Sequence, residues 1–218
     1  MSAPVSDFKN QSSKTKNAIS AVLLAAGQSR RMGKFKPLLP FGESTVVDSC
    51  IANLRSACVD EVVVVIGHRA AELREHLRDA NVGFAINDDT SSEMSVSIAR
   101  GVEQLSNDAQ ALLIALVDHP AVSGETIKGI VDEWVEGAQF VQPEYGGRGG
   151  HPVLVDLKYR HELLHLDSQK GLRALFQAHR ENVRRVPVDS PFVARDMDTW
   201  EDYLQLHLDV FGEPPRKI

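Results

Sequence analysis

Apolar residues along this chain fall in short continuous runs, and helical stripes separate the runs. The runs at 19–25, 62–66, 83–86, 111–117, 139–142, 152–156 and 183–188 are mostly β-branched or leucine-rich, the pattern of strands buried on both faces. Between them Val47, Cys50, Ile51 and Leu54 share one helical stripe, with Ser44 as the expected cap. Met94, Ile98, Val102 and Leu105 make a second stripe, and Ile127, Ile130, Val131 and Trp134 a third behind a Ser123 cap. Thr199 and Asp202 have capping-box spacing ahead of a last helix. Buried-type strands alternating with helices predict an α/β fold: a mostly parallel sheet covered on both faces. The stretch "EYGGRGGHP" before "VLVD" is the expected place for a reversed strand.

A length of 218 residues suits a single domain. Residues 1–17 are polar and lack a signal peptide's apolar core, so they read as a disordered lead-in to a domain over 18–209, with 210–218 as a tail. No run approaches the roughly 20 apolar residues of a membrane helix. A net charge of −6 argues against broad nucleic-acid binding while allowing a local basic pocket. Cys50 sits on a core stripe, and Cys58 has no ligand or redox spacing, so a reduced, cytoplasmic setting is expected.

The first apolar run opens into "LAAGQSRRMGKFK". Five residues separate Gly27 from Gly33, and Phe35 follows Lys34 where a P-loop carries a hydroxyl. Ser29 takes the second glycine position of the dinucleotide fingerprint, so that template fails too. Small residues at Ala25, Ala26 and Gly27 let a ligand approach the backbone, and loop N–H groups can form an anion nest. Arg30, Arg31, Lys34 and Lys36 add positive charge suited to phosphate. Asp118 ends the run "ALLIALVD", where a core strand should meet a cleft at the sheet's carboxyl edge. A carboxylate there requires a cation, and Mg²⁺ shared with substrate phosphates is one solution; an Asp opening a turn is the other. Asp196 and Asp198 precede the last cap, and either could be a second metal ligand. His151 in "GGHPV" is a candidate substrate contact or simply part of a turn.

"LLAAGQSRRMGKFKPLL" resembles the signature of the molybdenum cofactor cytidylyltransferase-like family, the MobA-like NTP transferases of the nucleotide-diphospho-sugar transferase superfamily. "EMSVSIARGV", "VDHP", "GGHPVL" and "MDTWEDY" are similar to later family landmarks in the same order. The sequence departs from them at Glu93, Val117 and Trp200, at "DSQKGLR", and by an extra glycine before His151. The resemblance implies a Rossmann-like three-layer α/β/α fold and transfer of a nucleoside monophosphate to a phosphorylated acceptor, with pyrophosphate released.

It also implies roles. The nucleotide would lie against Leu24, its base on the backbone of Ala25, Ala26 and Gly27 with Ser97. Gln28, Ser29, Arg30, Arg31, Gly33 and Lys36 would hold the triphosphate, Arg31 and Lys36 meeting the charge that develops. Asp118 and Asp198 would carry Mg²⁺, and His151 would face the acceptor. Cytidylyl members usually read L-A-A-G where guanylyl members read L-A-G-G, so Ala26 implies CTP. The acceptor would be molybdenum-bearing molybdopterin, and a molybdoenzyme a possible client. A sugar or polyol phosphate acceptor, or a non-catalytic cofactor-binding chaperone, are the competing readings.

Overall fold

The computed structural model describes residues 18–29, 31–89 and 92–216. The lead-in over 1–17 and Arg30 lie outside the described residues. Chain order is β1 (Ile19–Leu24), β2 (Pro40–Phe41), β3 (Ser44–Thr45), α1 (Val46–Ser56), β4 (Glu61–Ile66), α2 (Ala70–His76), β5 (Gly83–Ile86) and α3 (Met94–Glu103). Then come β6 (Ala111–Leu116), α4 (Gly124–Val135), β7 (Phe140–Tyr145), β8 (Arg148–Gly149), β9 (Val153–Asp156), α5 (Arg160–Leu164), α6 (Gly171–Ala178), β10 (Val183–Pro187) and α7 (Trp200–Phe211).

The main sheet has the order β10-β7-β9-β6-β1-β4-β5, with β8 paired to β7. Strand β1 runs parallel to both β4 and β6, in registers that align Leu24 with Val65 and with Leu116. Strand β9 is the expected reversed strand, antiparallel to β6 and β7. The chain leaves β1 toward β4 on one side and returns to β6 on the other. The strand order therefore switches between β1 and β6, and a crevice opens at their carboxyl ends.

Successive strand residues point to opposite faces, and each face has its own core. Ala21, Leu23, Val64, Ile66 and Leu113 pack under α1, α2, α4 and α7, whereas Val22, Val65, Leu112 and Ile114 pack against Ile98 and Val102 of α3 and Leu163 of α5. Burying each such Leu or Ile contributes roughly 1.5–3 kcal/mol relative to exposure. Helices on both faces of a mostly parallel sheet complete the three-layer α/β/α arrangement.

The caps are partly as expected. Ser123 accepts from Thr126 N–H, and Thr199 with Asp202 forms a capping box on α7. Ser44 does not cap α1. It pairs in the β2–β3 hairpin, and Thr45 makes the capping box with Asp48 instead. Met94 departs from its stripe: it is half exposed at the start of α3, while Ile98 and Val102 are buried.

The expected tail at 210–218 begins later, because α7 includes Val210 and Phe211. Phe211 packs edge-on to Phe41, 4.9 Å between centroids, and Gly212 ends the helix at φ 75°. The same helix is bonded to the β2–β3 hairpin twice more. Tyr203 Oη donates to Pro40 O at 2.7 Å, and Gly42 N–H donates to His207 Nε2 at 3.3 Å.

Candidate active site

A cleft of about 360 Å³ lies at the switch between β1 and β6. Its floor is the strand ends at Leu24 and Leu116, and its walls come from the loop after β1, the segment after β5, the start of α3 and the turn before α7.

The loop after β1 is anchored from below. Phe35 is buried, meets the His68 ring edge-on, and carries the Arg69 guanidinium 4.7 Å above its ring. The apolar residue standing where a P-loop has a hydroxyl is thus the loop's foot in the core. Ser29 sits at φ 50° and its carbonyl accepts from Met32 and Gly33 N–H, which ties both residues back onto it. Gly27 faces open space: a Cβ there would meet no protein atom within 4 Å. The open space leaves that backbone accessible to a ligand from the cleft. Gly67, at the end of β4, is the opposite case, since a Cβ would lie 2.2 Å from Asn87 O.

Charged groups converge across the cleft. Lys36 is buried, and its Nζ lies 3.6 Å from Asp118 Oδ2 and 3.4 Å from Asp198 Oδ1. Arg31 donates to the other Asp198 oxygen at 2.7 Å. Asp118 Oδ1 is buried and accepts no hydrogen bond; His119 Nε2 stands 3.8 Å away. Two carboxylates, one with a buried orphan oxygen, form an oxygen-only donor set that fits a hard divalent cation shared with phosphate. The sequence-derived residues Gln28, Ser29, Arg31, Lys36, Ser97, Asp118 and Asp198 all line this cleft, with Leu24, Ala26 and Gly27.

Three expected residues stand elsewhere. Ala25 is buried and donates its N–H to Val65 O, extending the β1–β4 ladder, so its amide is not available to a ligand. Gly33, at φ 68°, shapes the exposed turn without lining the cleft. His151 does not line the cleft; its ring lies 5.8 Å from that of His119. Burial, aided by the His119 charge, pushes the His151 imidazole down to about 4.

Sequence reasoning passed over the polar end of β5. Asn87 is buried and donates through Nδ2 to Ser97 Oγ at 2.8 Å and to Ser92 Oγ at 2.9 Å. It fixes the Ser97 hydroxyl, which lines the cleft. Its signal was available: "FAIND" is an apolar run ending in a polar side chain at the carboxyl edge, as "ALLIALVD" is.

His119 was also passed over, as part of a turn. Burial opposes its protonation. The hydrogen bond to Asp196, helped by Asp118 and by the Phe192 carbonyl, outweighs burial and raises the imidazole above its ordinary value. The same hydrogen bond holds Asp196 below the usual carboxylate range.

The chain is also similar to known proteins. The chain is 26% identical over 190 residues to the molybdenum cofactor cytidylyltransferase of Escherichia coli (strain K12), covering 86% of this chain and 95% of that protein. It is also 26% identical over 197 residues to nicotine blue oxidoreductase of Paenarthrobacter nicotinovorans, covering 86% and 96%. A Mycobacterium tuberculosis H37Rv protein solved in complex with manganese superposes with a TM-score of 0.76 at 26% identity, covering 89% of this chain and 100% of that one. No helix among the described residues is long and apolar enough to cross a membrane. The profile of the MobA-like NTP transferase domain matches residues 21–184, spanning the β1 loop, Lys36 and Asp118. By that match the chain belongs to the MobA-like NTP transferase family and is a nucleotidyltransferase of that kind.

Proposed function

We propose that the protein transfers CMP from CTP to a phosphorylated small molecule, molybdenum-bearing molybdopterin being the acceptor the family resemblance favours. The observation that carries this reading is the meeting of Lys36, Asp118 and Asp198 at the switch point, directly beside the loop after β1. An acceptor phosphate oxygen attacks the α-phosphorus; that P–O bond forms as the bond to the β-phosphate breaks, and pyrophosphate leaves. Such a displacement needs positioning and charge stabilisation rather than a protein nucleophile.

The residues divide the work. The backbone at Gly27 lets the nucleotide approach closely, and Arg31 and Lys36 turn from the carboxylates toward the triphosphate. Ser97, fixed by Asn87, meets the base edge. Ala26 also lines the cleft, and the L-A-A-G resemblance that it completes supports CTP. Asp118 and Asp198 would hold Mg²⁺, with the remaining ligands coming from phosphate and water; the cation supplies neutralisation of charge on the leaving pyrophosphate. The manganese bound by the Mycobacterium tuberculosis neighbour supports a divalent cation in this fold. A cytoplasmic location accords with that chemistry.

The oxidoreductase relative raises a second class of activity. Ser29 in place of the fingerprint's second glycine disfavours a dinucleotide redox cofactor, and the paired carboxylates favour phosphoryl chemistry. A matrix of nucleoside triphosphates against molybdopterin, sugar-phosphate and polyol-phosphate acceptors, read by pyrophosphate release, tests the proposal. Release that requires CTP is expected. Tight nucleotide binding without release under any pairing would leave a binding protein.

A further inference from the structure

Asp118 and Asp198 face each other across the cleft but come from segments that share no strand pairing. Asp118 is fixed at the end of β6. Asp198 stands on the irregular segment between the short helical turn at Pro191–Ala194 and α7. Lys36 spans the two carboxylates, yet on the proposed reading it turns to the triphosphate when the nucleotide binds. Something else must then keep the two apart at a fixed distance.

The imidazole next to Asp118 has the geometry for it. His119 is 7% exposed, and its two ring nitrogens reach both ends of the segment that leads to Asp198. Nδ1 lies 3.1 Å from Phe192 O, and Nε2 lies 2.9 Å from Asp196 Oδ1. A backbone carbonyl only accepts, and so does an ionised carboxylate, so both nitrogens donate. One buried side chain therefore ties the end of β6 to residues 192 and 196. From the other side, His151 N–H donates to Val193 O at 2.8 Å, and Asp202 Oδ2 accepts from Asp198 N–H at 3.2 Å.

We infer that His119 is a positioning residue for the reaction: with Asp196 it clamps the 192–198 segment against the end of β6, and so sets Asp198 opposite Asp118. The inference rests on the reading of those two carboxylates as the place where a divalent cation and the triphosphate are held. His119 does not line the cleft and touches no reactant; it acts through Asp196 and the backbone.

The test uses the full chain, with Mn²⁺ and CTP as probes. His119→Ala should still fold, since the segment keeps its His151 and Asp202 hydrogen bonds. Hydrogen exchange should rise over 192–198 and stay unchanged in β1 and β4. Mn²⁺ affinity in the presence of CTP, read by electron paramagnetic resonance, should fall about 10–100-fold, the usual loss when an outer partner of a metal ligand is removed. His119→Gln, which retains a donor of similar reach toward Asp196, should recover most of that affinity. Asp196→Asn should match His119→Ala, and the double variant should be no worse than either single one.

Unchanged exchange over 192–198 in His119→Ala overturns the inference, as do additive losses in the double variant. Faster exchange with Mn²⁺–CTP affinity intact also overturns it, provided Asp118→Asn loses that affinity. If Asp118→Asn keeps the affinity as well, the reading of the cleft has failed, and the exchange measurement alone decides the clamp.

Discussion

The Lys36 ammonium lies 3.4 Å from Asp198 Oδ1 although 162 positions separate the two residues in the chain. Lys36 is buried, so its removal would leave Asp118 and Asp198 facing each other without the cation between them. Lys36→Met should lower the rate of pyrophosphate release about 10²–10³-fold, the loss typical of a charge-stabilising group. Lys36→Arg should rescue little, because a planar fork does not fit a site built around a point charge. Near wild-type turnover in Lys36→Met would exclude the role.

Asp118→Asn keeps the shape of the side chain and removes its charge. CTP should still bind weakly, and turnover should disappear. Retained turnover would show that the cation is held elsewhere.

Gly27 in the cleft and Gly67 at the end of β4 should behave in opposite ways. Gly67→Ala drives a Cβ into Asn87 O and should cost about 1–3 kcal/mol of stability, read by chemical denaturation. Gly27→Ala meets no protein atom, so its stability should stay within about 0.5 kcal/mol of wild type while CTP affinity falls. A Gly27→Ala protein with unaltered CTP affinity would place the nucleotide away from that backbone.

Base choice is testable by thermal shift with Mg²⁺ present. CTP should raise the melting temperature more than GTP or ATP, and Ala26→Gly should narrow the gap between CTP and GTP. Equal shifts in the wild type would remove the basis for cytosine.

His151 predicts a pH dependence of stability. Its folded value, about 4, lies below the ordinary 6.5, so between these the unfolded chain binds the extra proton. The contribution is complete above pH 6.5 and is lost as the pH falls toward 4. His151→Gln should therefore lose less stability than wild type across that window in urea titrations. Parallel profiles would assign the acid sensitivity to other groups.

The strands, the reversed β9, the loop after β1 and Asp118 were legible because each is written locally, as an apolar run with its terminating residues. Lys36 and Asp198 were readable through the family signature, but their contact was not, since no spacing encodes a meeting across the fold. The hairpin of β2 and β3 is too short to leave a periodic pattern, and it shifted the cap from Ser44 to Thr45. Ala25 misled because a small residue invites ligand approach, while its amide had already been claimed by Val65. His119 looked like turn punctuation before a proline; its partners, Phe192 and Asp196, lie more than seventy positions away.

The bonds between α7 and the β2–β3 hairpin have a mechanical consequence. Lys36 leads into the hairpin and Asp198 leads into α7, and the two elements are joined through Tyr203, His207 and Phe211 well away from the cleft. The assembly works as a pair of tongs, whose jaws are the ammonium and the carboxylate and whose handles are riveted by aromatic rings. Loosening the handles at Phe211 should blunt the jaws, so a lesion at this remote end would register as a defect in turnover.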